Sequence, residues 1–351
     1  MTLRRQLAIL MIAGGAIRLA LAAYGGHHSF ETYDMDSARI VWTALHVNGW
    51  HIYDTHRWPY PGGLLPWLLF AGALHGHVGL SLAFWFKLAP IASDLGIAWL
   101  VQDHLGRRGA TDRLRLVAAG LVCLGPTFFA VSGSEGQVDS VSMLPAIGAL
   151  WIWDRTRVGR RDVLVGVLLG LGAAVKIVPL LMLLAFLPLL ENWLARLRMT
   201  AIACAIPAIT IVPFALADSN TLSAITGYSG LPGLGGIGML VQPSITKLVI
   251  TGHGAFAWTA TTKAIQDHFK PVLAAALVVV TAVIARRRPR PEIGASLIWL
   301  AVYVFLPNFF MQYAVWGLAT FLMAGRVREV ALVQALLLVP LVLTWGYPWR
   351  G

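Results

Sequence analysis

The chain is a succession of apolar runs, each closed by a short cluster of arginines or by a turn rich in glycine and proline. No other feature limits its folding as much. In hydrocarbon every backbone N–H and C=O must be paired within the protein, so an apolar run crosses as a helix or as a strand of a closed barrel. The runs here are of helix length. Spans are expected at 7–24, 81–101, 116–131, 139–153, 162–176, 178–190, 199–216, 271–285, 293–307, 310–324 and 328–345. Several fall short of the ~20 residues usually needed, so their ends extend beyond the purely apolar stretch. Charged residues make up 12% of the chain, against roughly 25% in a soluble domain. The fold class expected is therefore an all-α polytopic membrane protein. We expect one domain over 1–351, a bundle of about 11 transmembrane helices.

The net charge of +11 does not point to nucleic acid. The arginines sit between apolar runs: Arg4 and Arg5, then 107–115, 155–161, 196–198, 286–290 and 326–328. These are alternate loops, which the positive-inside rule places in the cytoplasm. The N-terminus, "MTLRRQLAILMIAGGAIRLALAAY", reads as a retained signal anchor with its start in the cytoplasm. One apolar segment breaks the alternation. "YPGGLLPWLLFAGALHG" (60–76) carries Pro61, Gly62, Gly63 and Pro66, and as a span it would export the arginines at 107–115. It reads as interfacial or re-entrant. Residues 25–80 then form a first extracytoplasmic loop and 217–270 a second. In the first, Ser37 is expected to cap an amphipathic helix that ends at Asn48-Gly49. Cys123 and Cys204 lie within apolar runs and read as small buried hydrophobes.

Polar residues scarce in the spans collect on the outer side. "YDMD" (33–36) places Asp34 and Asp36 where the first span meets water. A carboxylate fixed there suits a general base for a hydroxyl acceptor. The pair could also hold a divalent cation through oxygen ligands. Lys176 ends the run "LLGLGAAVKIVP"; it either snorkels to the interface or offers a compact ammonium to a phosphate. "SEGQVDS" opens a span with Glu135, Gln137 and Asp139, more polar groups than helix capping needs, which suggests a cavity lining. Lys87 and Asp94 share one helix face two turns apart. Lys87 is expected to reach the outer interface, and Asp94 requires a partner for a structural role. None of the ten histidines shows a convincing metal-ligand spacing.

In order, "YDMD", "YPGGLLPW", "FKLAPIASDLGIAWL", "GQVDSVSMLPAIGALW", "GLGAAVKIVPLL" and "MQYAVWGLATFL" resemble the GT-C superfamily of integral-membrane glycosyltransferases. The resemblance is greatest to mannosyltransferases that use polyprenyl-phosphate mannose. It implies inverting transfer of a hexose, mannose above all, from a polyprenyl-phosphate donor to a lipid or glycan hydroxyl acceptor. It implies an acidic base in the first outer loop, hence Asp34 or Asp36, with Asp34 preferred as nearer the membrane. It implies Lys176, with Arg57, at the donor phosphate. It implies Glu135, Gln137, Asp139, His56, Gln312 and Tyr313 about the substrates. No cofactor is implied as required, since the leaving group is already a phosphate monoester. The partners are then the lipid-linked donor, the acceptor and membrane lipids, in a bacterial plasma membrane. The chain departs from the family in having Pro61-Gly62 where a proline pair is common, and in being short.

A lipid or glycan transporter would also put polar groups in a bundle, but it predicts internal repeats and helices broken at mid-membrane; no repeat is visible in the sequence, and the polar residues cluster on one face. The charge alternation makes a direct prediction. A cysteine introduced at Ala110, in a chain lacking the two native cysteines, should react with impermeant reagents only from the cytoplasmic side. Labelling from outside would overturn the expected topology.

Overall fold

The structure is a computed structural model in which residues 1–27, 33–227, 240–243 and 258–345 are described. Five of the described helices are long and apolar enough to cross a membrane. They are α1 (Leu3–His27, apolar over Leu3–Tyr24), α4 (Leu82–Arg107), the composite Asp112–Glu135, α10 (Trp193–Ala217) and Ala260–Arg287. The other expected spans are helical too: α7 (Asp139–Trp153), α8 (Val158–Val175), Pro291–Phe305, Ala314–Met323 and Val327–Trp345. The composite consists of α5 (Asp112–Cys123), α6 (Pro126–Phe129) and a π-helical turn, Ala130–Glu135. Residues 178–189 run through 3₁₀ turns about α9 (Leu183–Phe186). Isoleucines and valines such as Ile9, Ile12, Ile209 and Val278 stay exposed on the long helices, as a face turned to lipid requires.

The segment expected to lie at the interface is α2 (Tyr33–Val47), two 3₁₀ turns and α3 (Leu65–Val78). At 14 residues α3 is ~21 Å long, short of the ~30 Å hydrocarbon core. Two corrections arise here. First, Ser37 does not cap α2: the helix starts a turn earlier, at Tyr33, and the Ser37 hydroxyl donates to the Tyr33 carbonyl within it. Second, Cys204 is exposed on α10 rather than buried. The stop at Gly49 is as expected, with φ +61°. The start of Ala260–Arg287 cuts eleven residues into the expected second loop, of which residues 228–239 and 244–257 lie outside the described residues.

The chain divides into two compact units, 1–183 with 190–228, and 184–189 with 229–351. The first is ordered by close helix approaches. In α8, Gly166 and Gly170 form a GxxxG pattern facing α10, and a Cβ at Gly166 would stand 2.9 Å from the Met199 carbonyl oxygen. Small residues at this spacing let two backbones touch in a membrane. Gly62 and Gly63 serve the 3₁₀ turn Gly62–Leu64 in the same way: a Cβ would meet Thr210 O at 2.7 Å or Ala174 O at 2.5 Å. The glycines of "YPGG" thus seat the first-loop turn on α8 and α10.

The Asp94 partner is Arg18 of α1, and neither residue has exposed surface. Arg18 Nη2 and Nε lie 3.0 and 3.1 Å from Asp94 Oδ2. The guanidinium also donates to Ser132 Oγ and to the carbonyls of Gly14, Val122 and Cys123. Asp94 in turn accepts from Ser132 and Ser140. Four elements, α1, α4, the Asp112–Glu135 composite and α7, meet in this network. At the other end of the helices, Asp103 pairs with Arg107 and Arg155, and Arg108 with Asp154, so the arginine clusters at 107–108 and 155 share one end.

In the second unit Ala260–Arg287 packs against Pro291–Phe305, with Trp299 fully buried. The Tyr303 hydroxyl lies 2.8 Å from the Ala314 carbonyl oxygen and accepts from Gly317 N–H at 2.6 Å.

Replacing Arg18 by leucine would strand the Asp94 carboxylate. A single Arg18→Leu or Asp94→Leu change should cost about 3–5 kcal/mol, read as loss of thermal stability and monodisperse yield. The double change should recover most of it. Equal loss in the double variant would mean that the network is more than a charge pair.

Candidate active site

The opposite end of the first unit gathers acids and lysines. α7 and α8 are ~22 and ~27 Å long by helical rise and are joined by four residues, 154–157. The hairpin therefore returns the C-terminus of α8 to the N-terminus of α7. Asp139, in the first turn of α7, and Lys176, just past α8, meet at 2.7 Å from Oδ1 to Nζ. Each charge suits its helix end, an acid at the N-terminus and a base at the C-terminus. Asp139 has no exposed side-chain surface and Lys176 retains 11%. Lys176 was expected either to snorkel or to meet a phosphate; here its ammonium is paired with a buried acid. Its Nζ also stands 5.4 Å from the centroid of the Tyr60 ring, within cation–π range.

The acids of "YDMD" fall in the first turn of α2, where the helix dipole favours them. Met35, Ala38 and Val41 recur every three residues and are buried. This face fixes α2 against the "SEGQVDS" segment. Gly136, at φ +77°, sits beneath Met35, and a Cβ there would lie 2.8 Å from Met35 Cε and 3.0 Å from Lys87 Cγ. No other residue suits that backbone and that gap. Asp34 and Asp36 flank Met35 and have different surroundings. Asp36 is held by two arginines, Arg57 and Arg39, at 2.5 Å each, and the Arg57 guanidinium lies 4.1 Å over the Tyr33 ring. Asp34 lies within electrostatic reach of Lys176, Asp139, Arg57 and Glu135. Burial pushes its carboxyl up to about 6, with Asp139 adding to the rise and Lys176 and Arg57 opposing it.

Glu135 closes the π-helical turn and accepts from Gln137 Nε2 at 3.4 Å. Lys87, expected at the interface, is instead 2% exposed and within electrostatic reach of Glu135. The reason is Gly136, whose bare Cα leaves room for the lysine stem between α4 and α2. The structure thus brings together Asp34, Asp36, Arg57, Glu135, Gln137, Asp139 and Lys176, and adds Lys87 and Tyr60. His56 is exposed, in the left-handed conformation that ends the turn Ile52–Thr55, with no side-chain hydrogen bond or ion pair to the cluster among the described residues. Gln312 and Tyr313 belong to the second unit, in the turn Met311–Tyr313. There Tyr313 stacks on Trp316 with centroids 4.2 Å apart. A lysine followed seven residues later by an acid, inside one apolar span, was the sequence signal for Lys87, but nothing in that spacing told which partner each would take.

As chemistry, the cluster offers a half-buried carboxyl poised near neutrality, a second acid neutralised by arginine, and a lysine at a helix end. Carboxyls tuned toward neutral pH are the usual material of general bases.

The family model of glycosyltransferase family 87 matches residues 58–311. That stretch takes in Glu135, Gln137, Asp139 and Lys176, while "YDMD" and Arg57 lie N-terminal to it. No curated protein sequence matches significantly. Among solved structures the chain is similar to the oligosaccharyltransferase of Archaeoglobus fulgidus in its apo form, with 12% identity and a TM-score of 0.45. The alignment covers 97% of this chain, which spans 55% of the length of that protein. A family match over more than half of the chain settles membership: the protein belongs to glycosyltransferase family 87 and, with its long apolar helices, is a membrane glycosyltransferase.

Proposed function

We propose that this glycosyltransferase moves a hexose, mannose in our reading, from a polyprenyl-phosphate donor to a hydroxyl of a lipid or glycan acceptor. Transfer occurs on the extracytoplasmic side with inversion. The observation that carries the proposal is the convergence of Asp34 with the Lys176–Asp139 pair at one end of the first unit. In the step, the acceptor oxygen bonds to the anomeric carbon and its proton passes to Asp34. The bond from that carbon to the phosphate oxygen breaks, and its electron pair leaves with the polyprenyl phosphate. The phosphodiester becomes a monoester and gains a negative charge, which Lys176, with Arg57, stabilises. The transition state resembles an oxocarbenium ion, as in other glycosyl transfers through one base. Asp36, held by Arg57 and Arg39, positions Arg57. Glu135 and Gln137 line the sugar site, and a divalent cation is not required.

The pH dependence follows from the raised Asp34 carboxyl. Below about 6 the group is protonated and cannot take the acceptor proton, so turnover should fall on that acid limb and level off above it. Stability runs the other way. A carboxyl raised in the folded state stabilises the fold fully below its unfolded value, and that contribution is lost as pH rises through about 6. Asp34→Asn should therefore lose ~10²–10⁴-fold in turnover while melting no lower than wild type at neutral pH. Asp36→Asn should show a milder defect. Turnover of synthetic polyprenyl-phosphate hexoses by the purified variants is the measurement, and near wild-type rates in both would sink the assignment.

Lys176→Ala leaves Asp139 buried without its cation, so this single change should lose stability as well as donor binding. Lys176→Met combined with Asp139→Asn should regain the stability and still bind the donor at least tenfold more weakly. Normal donor binding in the double variant would remove Lys176 from the phosphate site.

A further inference from the structure

A second polar cluster lies in the first unit, built from residues that the glycosyl-transfer reading does not use. His51 immediately precedes the turn Ile52–Thr55, Asp54 lies within that turn, and Asp218 ends α10, 164 residues further along than Asp54. One potential ligand atom from each lies within 4.8 Å of the other two. His51 Nδ1 and Asp54 Oδ2 are 3.9 Å apart. Two ligands that each lie about 2.0–2.2 Å from a common ion stand roughly 3–4.4 Å from one another, so the spacing fits a shared cation with small adjustment.

Asp218 supplies the independent observation. It is 4% exposed. Its Oδ1 accepts the Asn220 N–H at 2.8 Å, whereas its Oδ2 is buried and takes no hydrogen bond among the described residues. Three residues on, the Thr221 hydroxyl is likewise buried without a partner among the described residues. A carboxylate oxygen out of water and unpaired costs several kcal/mol unless a positive charge meets it. No arginine or lysine forms an ion pair with it among the described residues. Asn220 Nδ2 donates to Asp54 Oδ1 at 2.9 Å, which holds Asp54 with its other oxygen toward His51. Beneath them Tyr53, Phe214 and Trp50 pack edge to face, with Tyr53 and Phe214 centroids 5.7 Å apart, so the polar cluster sits over a rigid apolar floor.

We propose that His51, Asp54 and Asp218 hold one divalent transition-metal cation, of the Mn²⁺ or Zn²⁺ class, that clips the turn Ile52–Thr55 to the C-terminal end of α10. One imidazole nitrogen with two carboxylates suits these ions better than Mg²⁺ or Ca²⁺, which favour all-oxygen sites. The clip is structural. It joins the segment that carries Arg57 and Tyr60 to the helix that receives Gly62, and it takes no part in proton transfer at Asp34.

The test uses the full-length protein in detergent, stripped with a chelator, desalted and loaded separately with Mn²⁺, Zn²⁺ or Mg²⁺. Retained metal is counted by mass spectrometry and the melting temperature is measured. We expect about one equivalent of Mn²⁺ or Zn²⁺ to be retained and little Mg²⁺. Melting should rise by roughly 5 °C at a hundredfold excess over the dissociation constant. His51→Ala, at an exposed position, and Asp218→Asn, which keeps the oxygen that accepts from Asn220, should each lose the bound metal and the shift. Asp34→Asn with Asp36→Asn should keep both. Retention of less than a tenth of an equivalent overturns the proposal. So does binding that survives in His51→Ala and Asp218→Asn, or that disappears in the Asp34 and Asp36 double variant, since the ion would then sit elsewhere.

Discussion

The Arg18–Asp94 pair is the constraint on which the first unit depends. A guanidinium and a carboxylate with no exposed surface survive in an apolar bundle only if every donor and acceptor is met, and here they are met from four elements. The same network fixes both flanks of the candidate active site. Ser132 lies in the π-helical turn that ends at Glu135, and Ser140 is next to Asp139. A π-helical turn is a local irregularity that usually has a functional cause. In this chain it rotates one serine into the arginine network while carrying the following glutamate to the acidic cluster.

From that anchored base the site builds outward by close packing. Gly136 admits Met35 on one side and the stem of Lys87 on the other. Gly63 admits the first-loop turn against Ala174, two residues before Lys176. Three glycine contacts thus set the separation of the segments that carry Asp34, Lys176 and Tyr60. Each is a backbone approach that a methyl group would block, so the geometry of the charges is inherited from steric fit rather than from attraction between the charges themselves.

The electrostatics of the cluster are lopsided in a useful way. Asp34, Asp36, Glu135 and Asp139 face Arg57, Lys87 and Lys176, with Arg39 at the edge. Asp36 is neutralised by two arginines and Asp139 by a lysine. Burial holds the Asp34 proton to about pH 6, with Asp139 adding to the rise and Lys176 and Arg57 opposing it only in part. A base that must take a proton at neutral pH, and release it again, needs that intermediate affinity.

The sequence by itself determined the class of the molecule. Apolar runs of helix length, arginines on alternate loops and a scarcity of acids leave a polytopic helical bundle as the only economical solution in lipid, and the ordered motifs pointed to a membrane glycosyltransferase, which the match to glycosyltransferase family 87 supports. It also marked "YDMD", "SEGQVDS" and Lys176 as unusual, because charge near hydrocarbon is costly wherever it occurs. What only the tertiary structure decided was partnership. Arg18 and Asp94 are 76 residues apart and Asp139 and Lys176 are 37 apart, and no periodicity within one helix reports which face another helix will present. Lys87 looked like an interfacial residue because its burial depends on a glycine 49 positions later. His51, Asp54 and Asp218 had no motif because their proximity arises from the packing of one turn on the end of a distant helix. Local sequence carries hydropathy and helix ends; the pairing of charges across a bundle is set by which small residues let which helices touch.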